Sequence, residues 1–131
     1  MATVDITKDT LQSTIDDNDI VLIDFWAAWC GPCRSFAPTY EAISEKYPNV
    51  KFAKVDTEAE QELAANFGIR SIPTLVAFRD QIGIFSQAGA LPGDALEDLI
   101  GQIEALDMDE VRKDIESEAD EASEADEAAT A

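Results

Sequence analysis

The run Val21-Leu22-Ile23-Asp24-Phe25-Trp26, followed after two alanines by Trp29-Cys30-Gly31-Pro32-Cys33, changes its hydrophobic period within a few residues. Its first half is apolar and β-branched with one acid in the middle, the pattern of a buried strand. Beyond the cysteines, Phe36, Tyr40, Ile43 and Tyr47 recur at helical spacing. The two cysteines, the only ones in the chain, therefore fall where a strand turns into a helix. Backbone N–H groups and the helix dipole stabilise a thiolate at such a terminus.

Two thiols separated by two residues at this place read as a reversible dithiol/disulfide pair. A structural zinc site needs four ligands, usually Cys and His, and the chain has two Cys and no His. A purely structural disulfide would close a very short loop and restrict the unfolded chain only slightly. Redox chemistry is the remaining use.

At 131 residues with 46% hydrophobic residues, the chain is one domain's worth of core. No window reaches the roughly 18 apolar residues of a membrane span. The segment from Met1 to Asp9 lacks the basic region and apolar stretch of a signal peptide. A CxxC without an export signal makes the reducing cytoplasm the expected compartment. The net charge is −19, from 28 acids and 9 bases. Residues 107–131 hold 11 acids and 2 bases, leaving 17 acids and 7 bases for residues 1–106. No nucleic-acid or membrane partner is expected, since both demand basic surface. Steering toward basic partners is favoured instead.

A short strand near Thr3–Ile6 precedes a helix through Leu11 and Ile15, the strand 20–26 and the helix carrying Cys33, which Pro38 should kink. Val50–Asp56 alternates as a strand. Thr57-Glu58-Ala59-Glu60 has the form of a capping box opening a helix through Leu63, Ala64 and Phe67, with Gly68 at its stop. Thr74–Phe78 and Gly83–Ser86 are spaced as a hairpin. Pro92 opens a last long helix with Leu96, Leu99, Ile100, Ile103 and Leu106 on one face. This order predicts an α/β domain over residues 1–106, a mixed central sheet with helices on both faces.

Over 107–116, Asp107 and Glu110 can cap a fresh short helix whose stripe is Met108, Val111 and Ile115; a frayed continuation of the preceding helix fits equally well. Over 117–131 the hexamer Ser-Glu-Ala-Asp-Glu-Ala occurs twice in tandem, at 117–122 and 123–128. With no apolar face, this acidic low-complexity tail is expected to be disordered.

Across roughly residues 3–106 the chain resembles the thioredoxin family. The resemblance is carried by Val21–Trp26, Trp29-Cys30-Gly31-Pro32-Cys33, Pro38, Ala53-Lys54-Val55-Asp56, Gly68-Ile69-Arg70-Ser71-Ile72-Pro73-Thr74 and Gly89-Ala90. It implies the thioredoxin fold and the reduction of disulfide-containing protein substrates by a monomer. The redox-active disulfide Cys30–Cys33, with no bound cofactor or metal, would be recharged by an NADPH-dependent thioredoxin reductase. Cys30 would be the attacking thiolate and the exposed sulfur, and Cys33 the resolving thiol.

Asp24, inside an apolar strand, should have a raised pKa, and the resemblance assigns it to deprotonating Cys33. Lys54, on the neighbouring strand, either lies close enough to bias Asp24 or is an exposed strand lysine. The resemblance further implies a cis Pro73 against the dithiol, freeing the backbone of Ile72 to pair with a substrate strand. Trp29, Gly31, Pro32, Ile72, Gly89 and Ala90 would form the docking surface, and Trp26 would be core. The chain departs from the family pattern in three places. Arg79-Asp80-Gln81-Ile82 stands in the hairpin turn where a glycine is usual, Ala28 replaces a polar residue, and the segment after Leu106 is additional.

Between the cysteines, Gly-Pro without a histidine favours a reductant over an oxidase or isomerase. A reading from another class is a binding module that uses the apolar patch, with its redox activity incidental.

Overall fold

Strand β2 (Ile20–Trp26) is the middle of a five-stranded sheet ordered β1-β3-β2-β4-β5, and almost every residue in it is buried. The structure is a computed structural model describing residues 2–130, with side chains described through residue 119. The other strands are β1 (Thr3–Asp5), β3 (Lys51–Asp56), β4 (Thr74–Arg79) and β5 (Ile82–Ala88). β1 and β2 run parallel to β3, while β4 is antiparallel to both β2 and β5. This is the mixed sheet expected from alternating strands and helices closed by a hairpin.

The five helices are α1 (Leu11–Asp16), α2 (Gly31–Ser44), α3 (Gln61–Asn66), α4 (Gly93–Glu104) and α5 (Met108–Thr130). Side chains alternate faces along a strand, so β2 feeds two cores. Ile20 and Leu22 pack with Phe36, Tyr40 and Ile43 of α2 and with Leu96, Ile100 and Ile103 of α4. Val21, Ile23 and Phe25 point the other way, into a cluster with Leu63 of α3 and, at its margin, Leu11 of α1 and Phe67. α2 continues through Pro38, whose ring is exposed on its outer side.

Two local expectations are corrected. The turn before α3 is not a capping box: the Thr57 hydroxyl donates to the Trp26 carbonyl at 3.1 Å, and Asp56 Oδ1 accepts from the N–H groups of Glu58 and Ala59. The hydroxyl donates to a carbonyl at the sheet end, and Asp56 takes the role of acceptor for the N–H groups of the turn. Tyr47 lies beyond the end of α2, yet stays half-buried against the first core, with its hydroxyl 3.3 Å from Glu97 Oε1.

The β4–β5 hairpin closes through Asp80 and Gln81, with φ of 52° and 70°. Both central residues are thus left-handed, the geometry that a two-residue turn needs to match strand twist. Gly83 sits within β5, opposite Phe78.

After α4 the chain turns at Asp107, whose Oδ1 accepts from the N–H groups of Asp109 and Glu110. Met108 is buried, and Arg112 pairs with Asp80 at 3.0 Å, which ties the start of α5 to the hairpin turn. The backbone is helical to Thr130, and the side chains of the expected tail from residue 120 onward lie outside the described residues. Among the described residues, no helix is long and apolar enough to cross a membrane.

Candidate active site

The carboxyl end of β2 delivers the chain into the loop 27–30, and α2 starts at once from Gly31. Cys30 is the residue before the first helical turn. Its backbone is extended (φ −84°, ψ 113°), and its carbonyl accepts the first helical bond, from Arg34 N at 3.1 Å. Pro32 suits the first turn because an N–H there has no intrahelical partner. The Cys33 N–H points back at Cys30 Sγ, 3.2 Å away, so a free backbone donor faces the sulfur. Cys30 and Cys33 are joined as a disulfide with Cα atoms 5.2 Å apart.

The expectation that Cys30 is the exposed sulfur is corrected: Cys30 is 4% exposed and Cys33 2%. The cover comes from a distant part of the chain. Ile72 packs on the pair, with its carbonyl oxygen 3.7 Å from Cys30 Sγ, and the Ile72–Pro73 peptide bond is cis. Pro73 itself is buried, and its carbonyl accepts from Gly89 N at 2.8 Å. Gly89 has φ of 103°, a conformation open to glycine but strained for other residues.

Around the buried disulfide the surface is accessible. Trp29 is 67% exposed, Pro32, Gly89 and Ala90 are exposed, and Gly31 and Ile72 are half-buried. An open groove of about 400 Å³ adjoins the site, with Trp29, Thr57, Ala64, Ile69, Arg70, Ser71 and Ile72 along it. The structure thus brings the predicted surface residues together around one disulfide.

On the strand that feeds the pair, Asp24 is 1% exposed, and neither of its carboxylate oxygens has a hydrogen-bond partner. Loss of hydration raises its pKa to about 6, and the positive charge of Lys54 only partly opposes this. Lys54 is half-buried and stands opposite Asp24 in the strand register. Its ammonium lies 4.9 Å from the centroid of the Trp26 ring, within cation–π range. Trp26 packs on the dithiol cluster, and its indole N–H is buried without a partner.

Three features had no signal in the sequence. Trp29 Nε1 donates to Glu58 Oε1 at 2.8 Å, which holds an exposed indole in place from the start of the next loop. Arg34 Nη1 donates to the Ala28 carbonyl at 2.9 Å. Thr74 is buried, with its hydroxyl donating to the Ser71 carbonyl at 2.6 Å, which braces the turn carrying Pro73. The first joins residues 29 apart, whose proximity only the folded chain creates, while the other two are local to their turns. Among the described residues, no group of three or more His, Cys, Asp or Glu side chains could hold a metal ion.

Comparison with known proteins agrees with this geometry. The thioredoxin family model matches residues 2–102. A Streptomyces coelicolor protein that carries a provisional thioredoxin 2 name is 58% identical over 112 residues, covering 86% of this chain and 84% of its own. A thioredoxin of Porphyra purpurea is 38% identical over 104 residues, covering 78% of this chain and 97% of its own. Among solved structures, a mutant thioredoxin from Halobacterium salinarum superposes with a TM-score of 0.74 at 37% identity, covering 80% of this chain and 93% of the other.

Proposed function

The chain belongs to the thioredoxin family of dithiol–disulfide oxidoreductases, and on that footing we propose that it works as a reductant of protein disulfides. The observation that carries this reading is the Cys30–Cys33 pair at the start of α2, with a backbone N–H on Cys30 Sγ and a buried carboxyl group on the strand that feeds it.

In the reduced protein the Cys30 thiolate attacks one sulfur of a substrate disulfide. A mixed disulfide forms, and the first substrate thiolate leaves and takes up a proton. Asp24 accepts the proton of Cys33, whose thiolate attacks the Cys30 sulfur. The Cys30–Cys33 bond closes, and the second substrate thiol is released. Two electrons have passed from the dithiol to the substrate. A carboxyl group titrating at about 6 is matched to such a transfer near neutral pH. Lys54 acts through Asp24, limiting how far burial raises its pKa.

The groove and the exposed rim supply the binding step. A substrate segment lies extended along Ile72 and Pro73, bonded to main chain and resting on Trp29, Gly31, Pro32, Gly89 and Ala90. Main-chain pairing tolerates many side chains, which suits a monomeric carrier with several partners. Electrons return from NADPH through a thioredoxin reductase, and the cytoplasm is the proposed compartment.

The test is a coupled assay. With thioredoxin reductase and a disulfide protein present, NADPH oxidation should depend on this chain, and absence of turnover would overturn the reading. A double Cys30→Ser, Cys33→Ser variant should lose all activity, whereas a binding module would keep its own.

A further inference from the structure

We propose that Arg34 and Arg70 make the dithiol face selective for disulfides flanked by acidic residues. This specificity rests on the reductase reading above and names the substrate chemistry of the same site.

The argument starts from charge. The chain holds 9 bases against 28 acids, and among the described residues four of the nine form an ion pair, so what marks Arg34 and Arg70 is their place and not their lack of a partner. Lys8, Lys46, Arg79 and Arg112 each pair with an acid. Among the described residues, Arg34 and Arg70 form no ion pair, and both are exposed beside the disulfide. Two separate elements deliver them. Arg34 comes from the first turn of α2, with one nitrogen fixed on the carbonyl of Ala28, two residues before Cys30. Arg70 comes from the loop before Pro73 and lines the groove with Trp29, Ile69 and Ile72. Glu58, next in the chain to Thr57 of the groove wall, accepts from the Trp29 indole.

A guanidinium presents a planar fork of donors that matches a carboxylate, and fixing one nitrogen of Arg34 leaves the rest of its fork available. A substrate strand lying along Ile72 would carry the residues flanking its cysteine past these two groups. The remaining acids of the chain repel an acidic segment, but over longer distances. At 0.15 M salt the Debye length is about 8 Å, so distant repulsion is screened more than contact pairing. An exposed pair is worth about a two- to five-fold effect at best. Two such pairs multiply to about four- to 25-fold at best, and repulsion by the remaining acids lowers the net discrimination to about three- to ten-fold.

The experiment uses two peptides that each hold one intramolecular disulfide and differ only in glutamate or lysine beside the cysteines. Each rate with the reduced protein at 0.15 M salt is divided by the rate of the same peptide with dithiothreitol, which removes intrinsic differences in reactivity. The expected glutamate-to-lysine ratio is about three to ten. It should fall to one or below in the Arg34→Gln, Arg70→Gln double variant, and invert with Arg34→Glu and Arg70→Glu. The ratio is taken within one protein sample, so it does not depend on the fraction of a variant that folds. A ratio of one or less in the unaltered protein, or an unchanged ratio in the double variant, overturns the proposal. If neither peptide is reduced, it is the reductase reading that fails.

Discussion

Asp24 and Lys54 face each other across the β2–β3 register, yet the lysine ammonium rests on the Trp26 ring and leaves both carboxylate oxygens unbonded. The acid is thereby buried at a distance from full neutralisation, and its pKa rises to about 6. An aspartate in an unfolded chain titrates at about 3.9. Between these values the folded protein holds a proton that the unfolded chain has released. Stability from the neutral acid is therefore complete below about pH 4 and is lost as pH rises through about 6.

Asp24→Asn removes that loss. At pH 7 the variant should gain up to about 3 kcal/mol, and at pH 4 almost nothing. Melting curves at the two pH values measure the difference. Disulfide exchange should slow at neutral pH, and its profile should lose the limb near 6. An equal gain at both pH values would show that packing, and not charge, sets the cost.

Cys33→Ser should accumulate a mixed disulfide with substrate through Cys30, because the first bond forms but nothing releases it. Cys30→Ser should trap none. Non-reducing electrophoresis with mass spectrometry assigns the bond, and trapping through Cys33 would reverse the two roles.

Gln81→Gly should stabilise the protein by about 0.5–1 kcal/mol. Gln81 sits at φ 70°, where a side chain crowds the backbone by about 1–2 kcal/mol and glycine does not, less the entropy that glycine loses on folding. The one bond sacrificed, from Gln81 Nε2 to the Asp16 carbonyl at 3.3 Å, is exposed. Denaturant melts give the sign.

Arg79→Met should cost about 1–3 kcal/mol with little change in exchange rate. Its guanidinium Nη1 donates to the carbonyls of Ile103 at 2.6 Å and of Glu104 and Leu106 at 3.3 Å, closing the end of α4. Methionine keeps most of the stem but leaves partly buried carbonyls without their donor. The dithiol lies at the opposite end of the sheet.

Deleting residues 117–131 should leave the melting temperature nearly unchanged, since that segment has no apolar residue larger than alanine. It removes six acids. The effect should appear in association rates with charged protein partners and fade with salt. A drop of several degrees at all salt concentrations would mean that the segment packs on the domain.

The sequence made the β2–α2 unit legible because two strong periods meet there, and the cysteines mark the junction. The hairpin and α4 were equally open to reading. What it hid were contacts that join distant segments. Thr57 looked like a cap because the helix was local, whereas its acceptor, Trp26 O, lay on another strand. Cys30 looked exposed because nothing near it in the chain could cover it; Ile72 does, from 42 residues away. Arg79 read as a strand residue, and only the packing of α4 behind β4 gave its guanidinium three carbonyls.

The position of β2 also sets an order of persistence. It is hydrogen-bonded on both edges and buried on both faces, whereas β1 has three residues and one paired edge, and β5 is largely open to solvent. Local opening begins where few buried contacts must be broken. Amide protons should therefore be lost first from β1 and β5, and from β2 only when the whole domain unfolds. Cys30 is anchored four residues beyond the last of those slow amides, so fluctuations that expose either rim of the sheet leave the reacting sulfur in register.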